Sequence, residues 1–233
     1  MLRQFSRRAR LEALLHDGTR PGMKEFSSIL NSSAESPRHT SSTSLTPIEA
    51  AEVLAQAPKL DDREYGALLQ YLQHTGRLFR HWNDLPHPVN SNVLPTHARR
   101  PLQIHQGEHT FSCQRSHRGN SAIYFYNPLA HSHATGFIEI IWQLPLEATL
   151  KTFIIIRPHR VLPVQEEERA PFINYPGFKA RIFDSQPSDD SELVIIEPHH
   201  ILTHLTTFQR PAGTYGIDRE TLVVCLALDR GRK

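Results

Sequence analysis

Gly136-Phe-Ile-Glu-Ile-Ile-Trp-Gln-Leu144 and Thr152-Phe-Ile-Ile-Ile-Arg-Pro-His-Arg160 are the stretches that decide the fold. Both are rich in Ile, Phe and Trp, both are shorter than an ordinary helix, and both are bounded by Gly, Pro or polar residues. That combination predicts two adjacent buried strands, joined by a polar connector over residues 145–151. The texture on either side is also β. Gly107 separates candidate strands at 102–106 and 110–115, and His117-Arg-Gly-Asn120 is a turn before a strand at 121–126. Further strands are expected at 178–183, 193–197 and 222–228, while 201–208 suits either a strand or a short helix. Short strands at near-regular spacing predict a barrel or a sandwich.

Helical signals precede this region. Thr46-Pro-Ile-Glu49 offers a cap, a proline at the first helical position and a glutamate that completes a capping box, predicting a helix to about Ala57. Asp61 and Glu64 repeat the signal. Tyr65, Leu68, Leu69 and Leu72 then form an apolar face, and Gly76 stops the helix. The four prolines at 86, 88, 95 and 101 forbid regular helix and predict an extended connector. The expected class is therefore α+β. Its order is a basic N-terminal helix (1–26), a Ser/Thr-rich linker (27–45), a two-helix segment (46–76), a Pro-rich connector (77–100) and a β-rich domain (101–233).

Composition narrows the function classes. Hydrophobic residues make up 39% of the 233, which predicts an unpacked portion, assigned to the linker. A formal net charge of +2 is too mild to mark the whole chain as a nucleic-acid binder. Two cysteines, Cys113 and Cys225, exclude a disulfide-dense scaffold. No apolar run reaches the roughly 20 residues of a membrane-spanning helix, and no membrane partner is expected. The Arg-rich start is compatible with a mitochondrial presequence, but Glu12 and Asp17 follow closely, so a nuclear or cytoplasmic protein is the expectation.

Candidate chemistry is sparse. Cys113, His117, His131 and His133 are the best metal candidates, because thiolate and imidazole are zinc's preferred donors and a strand would turn His131 and His133 to one face. They lack the paired Cys spacing of a structural zinc site, so no cofactor is expected and zinc is the alternative. His200 and His204 would share a helical face, but no glutamate follows the first. Gly-x-Ser-x-Gly, phosphate-cradling and dinucleotide motifs are absent. Glu166, Glu167 and Glu168 read as a solvated loop edge. Arg3, Arg7, Arg8 and Arg10 are positioned to meet phosphates, and Tyr124, Tyr126 and Trp142 offer aromatic faces, with Arg157, His159 and Arg160 beside them.

A resemblance adds a role. It is carried by Glu64-Tyr-Gly-Ala-Leu-Leu-Gln-Tyr-Leu72, Leu85-Pro-His-Pro-Val-Asn-Ser-Asn-Val-Leu-Pro95, Ser116-His-Arg-Gly-Asn-Ser121, Gly136 to Trp142 and Phe153 to His159. Pro171 to Phe178, Val194 to Ile201 and Leu222 to Arg230 complete the series. In this order the segments resemble the C-terminal β-rich accessory region of CACTA-like and related DNA-transposon open reading frames of mushroom-forming fungi. The strand order is also similar to bromo-adjacent-homology modules, which are small β barrels that bind chromatin proteins or peptides. The resemblance implies a non-catalytic, transposon-derived binding module for a protein segment, chromatin or nucleic acid, and the aromatic residues Tyr124, Tyr126 and Trp142 are the expected lining of its groove. The alternatives are a metal-dependent hydrolase or nuclease built on the Cys/His cluster, and a transposon remnant without function.

Overall fold

The computed structural model describes residues 44–89, 91–175, 179–187 and 193–226. Two helices come first, α1 (Pro47–Ala55) and α2 (Asp62–His74). Thr46 and Asp61 cap them, each with a reciprocal capping box through Glu49 and Glu64. The strands are β1 (Gln103–Gln106), β2 (His109–Ser112), β3 (Ala122–Asn127), β4 (Ser132–Leu146), β5 (Thr149–Pro158), β6 (Ala180–Asp184), β7 (Val194–Ile196), β8 (Ile201–Arg210) and β9 (Thr221–Leu226). A single helical turn, α3 (Val164–Glu167), lies between β5 and β6. The described residues belong to one compact unit, helices and sheet together. The expected N-terminal helix and nearly all of the linker, with Arg3, Arg7, Arg8 and Arg10, lie outside the described residues.

β1 and β2 form a hairpin turned at Gly107, whose φ of 60° suits a residue without a side chain. The other strands make a seven-stranded antiparallel sheet in the order β6-β9-β8-β3-β4-β5-β7. The sheet is open. A bridge between Val161 and Phe183, with Asp184 N–H donating to the Arg160 carbonyl, ties the chain beyond β5 to β6. Residues 201–210 are strand and not helix. The ladders show it: His204 lies opposite Ile123 of β3, and Leu205 to Arg210 pair in register with Leu226 to Thr221 of β9.

The polar connector expected at 145–151 is instead ladder. Leu144 pairs with Lys151, Pro145 with Leu150 and Leu146 with Thr149, leaving only Glu147 and Ala148 at the turn. Both turn residues have positive φ, 50° and 56°, the geometry of a tight two-residue hairpin usually advertised by Asn-Gly. Their identities gave no turn signal, and Pro145 argued against a strand.

β4 and β5 are buried on both faces. Trp142, Leu144, Leu146, Phe153 and Ile155 meet Tyr65, Leu68, Tyr71 and Leu72 of α2 on one side. Ile138, Ile141, Ile154 and Ile156 join Ile123, Phe125, Phe111, Cys113 and Ile104 on the other. Between 138 and 140 the register with β5 slips, and Glu139 is the residue without an opposite partner. The connector expected to drape over a surface does so as a strand-like partner of β4, with Arg99 and Gln143 exchanging both backbone hydrogen bonds at 2.8 and 2.9 Å. Tyr65 locks it further by donating to the Leu94 carbonyl and accepting from the Trp82 N–H.

At Gly136 the β5 backbone lies too close to β4 to leave room for a side chain. A Cβ there would lie 2.5 Å from the Arg157 carbonyl oxygen and 2.6 Å from an Ile156 methyl, so Gly136→Ala should destabilise the protein by about 2 kcal/mol or more in urea unfolding. Gly66, exposed within α2 with nothing within 4 Å, provides the contrast: Gly66→Ala should stabilise by roughly 0.5–1 kcal/mol.

Candidate functional site

The end of the central hairpin builds a cleft. Its wall contains Phe137 and Glu139 from β4, Arg157 and Pro158 from β5, His159 and Arg160 just beyond, and Arg118 from the turn before β3. Asp184, Ser185 and Gln186, at the end of β6, close the opposite side. The cavity is about 330 Å³. It adjoins a shallower trough of about 570 Å³ that shares Arg160, Asp184, Ser185 and Gln186 and continues along Arg169, Arg219, Glu166, Asp218 and Glu220.

Each wall residue has a local cause. The slipped register at Glu139 turns its carboxylate to accept from Arg157 Nε at 2.5 Å. Pro158 ends β5, and His159 still donates its backbone N–H to the Thr135 carbonyl. Its ring sits between Phe137 and Phe183, with centroids 4.7 and 5.2 Å away. Nδ1 lies 2.9 Å from the Thr135 hydroxyl, and Nε2 is buried without a partner among the described residues. Burial depresses the imidazole to about 4, so it is neutral at physiological pH. Asp184, 6% exposed, accepts from the Gln186 N–H and faces Arg219 at 3.4 Å. Arg219 also pairs with Glu166, and Glu167 pairs with Arg181, while Glu168 is exposed, so two of the three acids of the run make surface ion pairs from a helical turn rather than a loop.

Of the aromatic groove, the structure keeps only part. Trp142 is 2% exposed, a core residue under α2, and cannot line a surface groove. A lone tryptophan among isoleucines carries no sign of which face it takes. Tyr124 and Tyr126 are half-buried and flank His133, with ring centroids 5.5 and 5.6 Å from it, and neither lines the cleft. Arg157, His159 and Arg160 do come together there. Arg118, Glu139 and Asp184 were missed. Glu139, the one charge inside an otherwise apolar strand, was the available signal.

The Cys/His cluster does not assemble. Cys113 is buried, its thiol pushed up by desolvation, and it points to the Pro101 carbonyl. Ala134 packs with the Cys113 cluster, so strand alternation sends its neighbour His133 to the opposite face of the sheet. His131 lies outside the regular strand, with φ of 48° and Nδ1 on the Tyr126 hydroxyl, which breaks the expected alignment with His133. His117 accepts from the Asn120 N–H as a turn cap. Among the described residues no three His, Cys, Asp or Glu side chains are grouped to hold a metal ion. His200 and His204 are separated from a common helical face by the strand that contains the latter.

No protein-family model, curated protein or solved structure matches this chain.

His159 sets an acid-side sensitivity. Its folded pKa of about 4 lies below the ordinary 6.5, so the unfolded chain binds the proton first as pH falls. The stability it contributes is whole above pH 6.5 and is lost as pH falls through about 4, by about 3 kcal/mol. Urea unfolding at a series of pH values should show a steeper acid decline for the wild type than for His159→Gln.

Proposed function

We propose that this chain is a non-catalytic binding module that takes a segment of another protein into the cleft between the β4–β5 hairpin end and β6. The observation that supports it most is the concave site itself. A mouth at the margin of a sheet, walled by Phe137 and a few convergent polar groups, is the usual form of a ligand pocket. The trough beside it, open and lined by polar side chains, suits the flanking residues of an extended segment better than a compact metabolite.

The same geometry speaks against acid–base catalysis. His159 and Ser185 line one cleft, but Nε2 makes no hydrogen bond, and an imidazole depressed to about 4 is a weak base at neutral pH. The resemblance read from the sequence between about Asp62 and the C-terminus, to the accessory region of fungal DNA transposons, implies the same class of role. The Val161–Phe183 bridge supports a finer fold reading, in which the sheet curls toward a barrel whose mouth is the cleft.

Random 12-residue peptides displayed on phage and selected on the immobilised protein test the reading. Selected peptides should shift the backbone amide signals of Phe137, His159 and Ser185, and Ser185→Trp, which fills the mouth, should weaken them by roughly tenfold or more. Peptides that instead perturb only Tyr124 and Tyr126, or a selection that enriches nothing, would contradict it.

A further inference from the structure

We infer that the cleft selects a protein segment bearing an oxyanion, a carboxylate or phosphate side chain, with Arg118 and Arg160 as its anchors. This rests on the reading of the cleft as a peptide site and adds the chemistry of what enters it.

Among the described residues the wall holds three guanidinium groups, Arg118, Arg157 and Arg160, against two carboxylates, Glu139 and Asp184. Both carboxylates are engaged inside the fold. Glu139 accepts from Arg157 Nε, and Asp184 faces Arg219 while capping the Gln186 N–H. Arg118 lies over the Phe137 ring at 5.8 Å and Arg160 is exposed, and neither forms an ion pair among the described residues. The two leftover cations therefore flank one opening. Asp184 is 6% exposed and its charge is offset by Arg219, whereas Arg118 and Arg160 are exposed. Arginine's planar fork suits bidentate contact with a carboxylate or a phosphate, and Phe137 under Arg118 holds that fork in place. The trough beyond is mixed in sign, with Glu166, Asp218 and Glu220 beside Arg169 and Arg219. Selection for an anion is thus confined to the cleft, and the rest of the segment meets a polar surface.

The test uses the full chain and four synthetic 12-residue peptides of one scaffold, whose central residue is Glu, phosphoserine, Gln or Lys. Binding is followed by the His159 and Phe137 amide shifts and by calorimetry. The Glu or phosphoserine peptide should bind at least about tenfold more tightly than the Gln peptide, and the Lys peptide most weakly. The ratio of Glu to phosphoserine affinity then assigns the oxyanion as carboxylate or phosphate. Arg118→Gln and Arg160→Gln should each remove about tenfold of that preference, while Lys151→Gln, an equal charge change at the far end of the hairpin, should leave it intact. Higher salt should narrow the gap. Equal binding of all four peptides at the cleft would overturn the anion selection and leave the peptide site standing. Tighter binding of the Lys peptide would overturn it as well. If none of the four shifts His159 or Phe137, both readings fall.

Discussion

The β4–β5 ladder is the constraint on which the rest of the structure depends. It runs from Gly136 opposite Pro158 to Leu146 opposite Thr149, and its side chains are buried on both faces. A hairpin of this kind cannot stand alone, because each face leaves large apolar surface that must be covered. Helix α2 covers one face and the β1–β2 hairpin the other. The connector between them is then pulled along β4, where Arg99 and Gln143 exchange hydrogen bonds. Ion pairs of Arg100 with Glu64 and Arg77 with Glu197 fasten it at partly buried positions. The parts named separately along the chain therefore share one core.

The cleft is a by-product of how that hairpin ends. Gly136 lets the two strands close up, the slip at Glu139 turns one carboxylate outward, and Pro158 stops the ladder so that His159 and Arg160 leave the sheet. Phe137 and Phe183 grip the His159 ring between the hairpin and β6. A neutral, buried imidazole at this junction costs little at physiological pH and much in acid. Position and protonation state are thus set by packing, and the arginines at the rim are left to meet solvent or a ligand.

Much of the fold was legible, and the reasons differ by element. Thr46 with Glu49 and Asp61 with Glu64 announced both helix starts, since capping is local chemistry. The strands of the central pair were visible from their apolar runs, but their joining turn was not, because Glu147 and Ala148 adopt positive φ without a residue that advertises it. Trp142 was read as an outer-face aromatic. On a strand buried on both sides, composition cannot assign a face, and only α2 packing decided it. The Cys113 and His133 grouping failed for a related reason: their spacing says nothing about which side of the sheet each takes. Arg157, His159 and Arg160 were read as neighbours because they adjoin in sequence. Their partners Arg118, Glu139 and Asp184 come from three other segments, and no local pattern joins them.

Native-state hydrogen exchange is the most direct test of the claim that the cleft wall shares the stability of the hairpin that carries it. The amides of Ile138, Ile154 and His159, and Asp184 across the cleft, should exchange only through global unfolding, with equal free energies and equal response to denaturant. Exchange of His159 and Asp184 through a low-energy local opening, with the hairpin still protected, would contradict it.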